Sequence, residues 1–561
     1  MAKQLLAASI AAPAFFGLNT QESGVTLQEG FALHADNCVI DKYGRLGARK
    51  GWVTRSASKD TVADANVGVD LKGIADFKDI NGVNTRLSWN DTTFFKGTLD
   101  LTTITPTTSD TITTGNWQAA TLNDHHFFYQ RGYEPLIYTT ESGSPEFESY
   151  SNHSHATAGM PSANTVLAAY GRLWAADTVT NKTTVWFTDV LDGAKYQTGT
   201  SGSIDISSVL TQGMDEIVAL GAHNGYLIIF CKNNIIIYGD NDNFQLGMST
   251  SSLTLVEVIE GVGCIARDSV QNTGEDILFL SNTGVRSLNR TVQEKSQPMR
   301  DISKNIRDDI IQAVTSEDLS LVKSVYSPVN AFYLLTFPST TQTFCFDTRT
   351  PLQDGSFRVT IWPSLTPSAF LSSGSDLYFA QPDGIAEYFG YQDNGQKYEM
   401  AYYSNYFDLE MPNINKIVKK LAATTVGATG QTFTLKVGYE YSPIYYSYTF
   451  TLETGTVFEY SRPVDNLAEY GPSPLDAAGQ PLPPVLISWD AGGVAPNTWA
   501  AGSAMSVASI SEYSGSVLIN DQKASTQGAG NIIQIGFTTE INGAPMSLQK
   551  LSIYAKQGKV L

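Results

Sequence analysis

Charged side chains are scarce in this chain. Lys, Arg, Asp and Glu make up 16% of its 561 residues, against roughly 25% in an ordinary soluble domain. Thr, Ser, Asn and Gly fill the gap, and Tyr (27) and Phe (26) are abundant. That balance suits strands joined by turns. Basic residues are the scarcer sign, 36 against 55 acidic, for a formal net charge of −19. The deficit is local. Residues 61–395 hold 19 basic and 37 acidic groups, net −18, whereas 1–60 are net +2 and 396–561 net −3. A phosphate-gripping surface needs clustered Lys and Arg, so sequence-specific DNA binding is excluded as a primary role. Solubility is the plainest use of the acidic excess.

Cysteine is also rare. Cys38, Cys231, Cys264 and Cys345 are far apart, in apolar strand-like contexts, and no C-x-x-C pair exists. A cysteine zinc site is not expected. Four buried free thiols, suited to a reducing compartment, are. No apolar run approaches the ~18 residues of a membrane span. The opening Lys3 and LLAASIAAPA weakly resemble a signal peptide, but the apolar core is short and interrupted by Ser9, so secretion is not expected. The sequons at Asn90, Asn152 and Asn181 then carry little meaning.

Catalytic signatures are missing as well. There is no Walker A, G-x-S-x-G or H-E-x-x-H pattern. Gly261-Val262-Gly263-Cys264-Ile265-Ala266 fits G-x-G-x-x-A, but the following RDSVQNTG has no helical period, so these glycines are read as serving a tight turn or bulge. Four of the six histidines come as two pairs. His125-His126 leads into FFY, placing one ring on each side of a strand, and His153 and His155 lie in a Ser/Asn/Gly loop. His153 and His155 could share a face and bind a metal, but they are read as polar loop residues. No catalytic, cofactor-binding or metal-ligating residue is assigned, no cofactor is expected, and the protein is not expected to be an enzyme. One alternative stays open, because a glycosidase's paired carboxylates are assembled in space and leave no local motif.

What is present is repetition. Residues 261–288 (GVGCIARDSVQNTGEDILFLSNTGVRSL) read as strand, turn and return strand about Asn282-Thr283-Gly284. Similar hairpins occur at 85–96, 124–139, 171–188, 225–239, 276–288, 331–347 and 376–389, roughly 40–60 residues apart, the length of a four-stranded blade. The fold class expected is mainly β: a propeller of six or seven blades over 61–395, an extended N-terminal segment over 1–60, and a β-sandwich-like domain over 396–561, where the pattern changes to longer strands. A helix is expected at 300–314, with Ile302, Ile306, Ile310 and Val314 on one face. A loop is expected at 471–484, which contains five prolines.

Several phrases carry a family likeness. Residues 17–52 (GLNTQESGVTLQEGFALHADNCVIDKYGRLGARKGW) resemble the opening of the tail nozzle and head-to-tail stabilisation proteins of short-tailed bacteriophages (tail tubular protein B-like), which share a G-x-N-T phrase followed by ADN-x-x-ID-x-G-x-L-x-x-R-x-GW. Residues 215–239, 262–288, 402–421 and 540–558 resemble later parts of the same family, in the same order. The resemblance implies a structural virion protein, assembled in the host cytoplasm into a homo-hexameric ring below the portal and adaptor. Duplex DNA would pass along its channel without sequence-specific contacts, and tail fibres or a tail needle would be further partners. The resemblance implies no catalytic residues. The alternative is a carbohydrate-binding or carbohydrate-cleaving propeller of a phage tail, acting in receptor recognition.

Overall fold

The structure, a computed structural model, describes residues 5–54, 70–98, 101–452 and 519–560, apart from interruptions at 142, 158, 211–214, 241–252, 294–301, 383 and 428–429. The loop expected at 471–484 lies outside the described residues. The chain divides into two compact units. One comprises Leu18–Gln21 and Trp52–Tyr388; the other comprises Met1–Gly17, Glu22–Gly51 and Phe389–Leu561.

The first unit is a β-propeller. Its antiparallel strands follow one another as five four-stranded sheets, one three-stranded sheet, and the four paired strands Lys323–Ser327, Phe332–Phe337, Gln342–Asp347 and Arg358–Ile361. Six of the seven expected hairpins supply the two middle strands of their blade, and the remaining one supplies the central strand and one edge strand of the three-stranded blade. Asn84–Trp89 and Phe94–Lys96 do so in blade 1, His125–Tyr129 and Leu136–Thr139 in blade 2, and Arg172–Ala176 and Thr184–Phe187 in blade 3. Blade 4 uses Tyr226–Cys231 and Asn234–Asp240; blade 5, the three-stranded one, uses Ile277–Ser281 and Gly284–Ser287. Phe332–Phe337 and Gln342–Asp347 serve blade 6, and Asp376–Gln381 and Gly384–Glu387 serve blade 7.

These strands read as unbroken apolar runs because both faces of a blade are covered by its neighbours. Ile277–Ser281 and Phe332–Phe337 are buried at every position. The cores are accordingly interblade layers. Trp174, Val185 and Phe187 of blade 3 meet Leu227, Ile229 and Ile236 of blade 4. Phe230 and Ile235 of blade 4 in turn meet Ile277 and Phe279 of blade 5.

The innermost strands form a closed circuit, with Phe370–Ser373 of blade 7 returning to Gly73–Lys78 of blade 1. Val53–Thr54, which precedes blade 1 in the chain, pairs with Gly384–Glu387 as the outer strand of blade 7. At the seam Ser373 Oγ donates to Asp76 Oδ2 (2.5 Å), Asp76 also takes the Arg86 Nε–H (2.8 Å), and the Arg86 guanidinium lies 3.7 Å from the Tyr378 ring centroid.

The helix runs over Arg307–Ser316 rather than 300–314, after a 3-10 turn at Lys304–Ile306. Its start is displaced because Ile302 is held by two strand-like bonds, from its own N–H to the Val285 carbonyl and from the Phe357 N–H to its carbonyl. Ile302, Ile306 and Ile310 are nevertheless each buried, and Val314 is half-buried.

The second unit holds two antiparallel sheets. In one, the 14-residue strand Ile414–Gly427 pairs with Met546–Val560, and the latter also takes Leu5–Ala11 along its other edge. In the other, Tyr398–Phe407, Ile533–Ile541, Thr432–Tyr439 and Tyr445–Thr451 lie side by side, with Phe31–Asp36 on the outer flank of Tyr398–Phe407. Within 1–60, Leu5–Ala11, Phe31–Asp36, Cys38–Ile40 and Leu46–Ala48 are strands in the sheets of this unit, and Val53–Thr54 belongs to the propeller.

The phrase that carries the family likeness is structural here. Asn37, at φ +54, accepts from Arg49 Nε, and the fully buried Arg49 guanidinium grips both carboxylate oxygens of Asp393 at 2.8 and 2.6 Å. Gly51 is held so close to the Gln392 backbone that a Cβ there would lie 2.0 Å from its carbonyl oxygen.

Candidate functional site

Three arrangements in the propeller unit concentrate chemistry. The first is built on Arg267, in the 3-10 turn Arg267–Ser269 that leads into blade 5. One guanidinium nitrogen donates to the Asn164 carbonyl (2.8 Å) and to Asn164 Oδ1 (3.0 Å); the other donates to Asn116 Oδ1 (2.7 Å). Asn116 and Asn164 stand just before the innermost strands of blades 2 and 3. Arg267 also pairs with Asp268, which pairs with Lys323 at the head of the innermost strand of blade 6. Residues from opposite arcs of the circuit thus meet across the propeller axis. Burial alone would raise the Asp268 pKa, but the charges of Arg267 and Lys323 outweigh it and hold the carboxyl well below the usual carboxylate range. Arg267 is 7% exposed, and the arrangement ties residues of blades 2, 3, 5 and 6 together across the axis.

The second arrangement is at the edge of blade 2. His125 and His126 point to opposite sides of their strand. His126 is buried, with Nδ1 2.7 Å from Thr121 Oγ1, and burial lowers its pKa to about 4. The His125 ring lies 5.0 Å from that of His153 and 6.3 Å from that of His155, centroid to centroid. His153 follows the 3-10 turn Tyr150–Asn152. Its Nδ1 is 3.1 Å from Glu148 Oε1, while its Nε2 is buried without a hydrogen-bond partner. Glu141, exposed on the turn after Leu136–Thr139, brings Oε2 to 3.4 Å from His125 Nε2. Burial, with the charges of His153 and His155, lowers the His125 pKa against the opposing pull of Glu141. Nothing in the sequence joins these residues; pairing of His125 with Thr139 and the turn back along blade 2 do.

The third is an open cleft of about 670 Å³ lined by Glu275, Asp276, Tyr326, Arg349 and Phe357 among others. Asp276 is engaged there by the backbone N–H groups of Ile277 and Asn289 and by the Ser287 hydroxyl.

The glycines of GVGCIA serve a left-handed turn (Gly261) and close packing (Gly263). Gly261 has φ +79, and a Cβ on Gly263 would lie 2.3 Å from the Lys232 carbonyl. Arg267–Ser269, a single 3-10 turn, occupies the place where a dinucleotide site would need a helix. The four cysteines are free and buried, and burial raises the Cys264 pKa to about 11.

No family model and no curated protein match the chain. Solved structures similar to it include BamB from Moraxella catarrhalis (10% identity, 68% of this chain and 95% of that one, TM-score 0.34). PorZ from Porphyromonas gingivalis, an essential surface component of the type-IX secretion system, is similar over 56% of this chain and 36% of its own (11% identity, TM-score 0.31). Hydrazine synthase from Kuenenia stuttgartiensis is similar over 58% and 97% (11% identity, TM-score 0.34).

Proposed function

We propose that this chain is a structural virion protein, the tail nozzle of a short-tailed bacteriophage. In that role six copies ring the DNA path below the portal and adaptor, retain the packaged genome and let it leave on infection. The observation that carries this reading is the ordered set of phrases at 17–52, 215–239, 262–288, 402–421 and 540–558. The propeller's closed axis bears on the mechanism. With Arg267 bonded across it, a duplex has no path through one propeller, so the lumen in this reading lies between copies. Repeated head-to-tail contacts close such a ring.

The test is a virion reconstruction, or negative-stain images of rings formed with the adaptor. A six-fold ring on the tail axis with a lumen as wide as duplex DNA is the expected result. A trimeric spike or a peripheral fibre would overturn the reading.

The cleft beside Glu275 and Asp276 favours a second reading, a carbohydrate-binding or carbohydrate-cleaving tail propeller. Depolymerisation of host polysaccharide, abolished by Glu275→Gln, would establish it in place of the first.

A further inference from the structure

The histidine cluster of blade 2 has the donor set and the spacing of a metal site. The donors are two imidazoles and a carboxylate. One ligand atom from each of His125, Glu141 and His153 lies within 4.8 Å of the other two. The edge from His125 Nε2 to Glu141 Oε2 is 3.4 Å, about the ligand–ligand distance of a tetrahedral zinc ion with bonds of roughly 2.0–2.1 Å. That contact lacks hydrogen-bond alignment, and His125 Nε2 has no other partner.

His153 gives the independent observation. Its side chain is 3% exposed, and a buried ring nitrogen with no partner costs on the order of 1–3 kcal/mol unless something satisfies it. Glu148 stands where it would take the Nδ1 proton, leaving the Nε2 lone pair free. A carboxylate behind a histidine is the usual device for orienting a metal ligand and fixing its tautomer. His155 adds a further imidazole at the exposed mouth, its ring 5.5 Å from that of His153.

We propose that His125, Glu141 and His153 bind a divalent transition-metal ion of the zinc class, with Glu148 as the positioning residue behind His153. The ion would tie the turn after Leu136–Thr139 and the connection from blade 2 to blade 3 onto the strand His125–Tyr129. It thereby fixes the edge of the blade where outer-strand hydrogen bonds end. The proposal does not depend on the nozzle reading.

The experiment uses the full-length chain, stripped with chelator and titrated with Zn²⁺ by calorimetry, alongside Glu141→Gln and Glu148→Gln. Glu141 is about half-exposed and Glu148 is 20% exposed; circular dichroism verifies that both variants keep the fold. Wild type should take up one equivalent and gain thermal stability from the ion. Glu148→Gln should bind at least about 10-fold more weakly, and Glu141→Gln should lose more. Absorption of the Co²⁺-substituted protein should show the visible bands of a low-coordinate nitrogen and oxygen site. Failure of wild type to take up zinc stoichiometrically, or unchanged affinity in both variants, would overturn the proposal.

Discussion

Arg267 donates to the backbone carbonyl of Asn164 at 2.8 Å, across 103 positions of sequence and from blade 5 to blade 3. The same guanidinium holds Asn116 and Asp268. No other side chain type offers five donors in a planar fork. Arg267→Met should therefore take a donor from Asn116, Asn164 and Asp268 at once, leaving Asp268 with Lys323 alone. We expect a loss of about 3–5 kcal/mol, the usual effect of removing one partner of a buried charge pair, seen as a lower urea midpoint. Arg267→Lys should fall between, because it restores the charge without the fork. A midpoint unchanged in Arg267→Met would show that the axis is held by the interblade layers alone.

Asp268 makes that cluster pH-dependent. Its folded pKa is depressed below its unfolded value of about 3.9. The stability it contributes is thus fully present above that value and is lost as pH falls toward the folded pKa. Denaturation followed from pH 6 down to pH 2.5 should show wild type losing stability mainly below about pH 4. Asp268→Asn should be less stable at pH 6 and lose less over the same window. Parallel curves for the two proteins would remove Asp268 from the account.

Gly263 separates packing from ligand binding in GVGCIA. Alanine there places a methyl 2.3 Å from the Lys232 carbonyl, and the backbone pairing of Cys264 with Cys231 leaves little room to shift. Gly263→Ala should cost at least about 1–3 kcal/mol, the range for overpacking. Gly261→Ala, with open space but φ +79, should cost only the left-handed backbone penalty of about 1–2 kcal/mol. Thermal melts rank the two, and NAD⁺ or ATP should shift neither.

The propeller was legible because its middle strands are buried on both faces. That forces runs such as YLIIFC and FYLLTF between turn residues, a signal that survives without an alignment. The other strands of a blade carry no such signal. Gln118–Leu122 is half-buried throughout, and Leu253–Glu260 mixes Glu257 with Val256 and Val258. Ile414–Gly427 carries little signal for a different reason: Lys416, Lys419 and Lys420 hide its alternation. Yet Lys416 is buried, with Nζ bonded to the carbonyls of Met411 and Asn531. Nor does any local pattern encode that Leu5–Ala11 pairs with residues 550–556. The histidine cluster is of this kind. Its parts were visible as two pairs, but their meeting depends on a register set by strands between them.

The acidic excess offers a test of mechanism in the nozzle reading. DNA must be held in the tail and then leave quickly. Each phosphate neutralised by Lys or Arg adds counterion-release free energy, so a basic wall would grip the duplex and slow its exit. An acidic wall repels it over about a Debye length, ~8 Å at physiological salt, and keeps it centred. Residues 61–395 carry net −18 of the chain's −19, so six copies concentrate the charge in the propellers. We expect the lumen of the assembled ring to present more Asp and Glu than Lys and Arg. Substituting those lumen-facing carboxylates with amides should slow ejection, and more so at low ionic strength, where repulsion reaches further. If the carboxylates serve solubility alone, they will face outward, and neutralising them will change aggregation while ejection keeps its rate. A lumen dominated by Lys and Arg would end the idea.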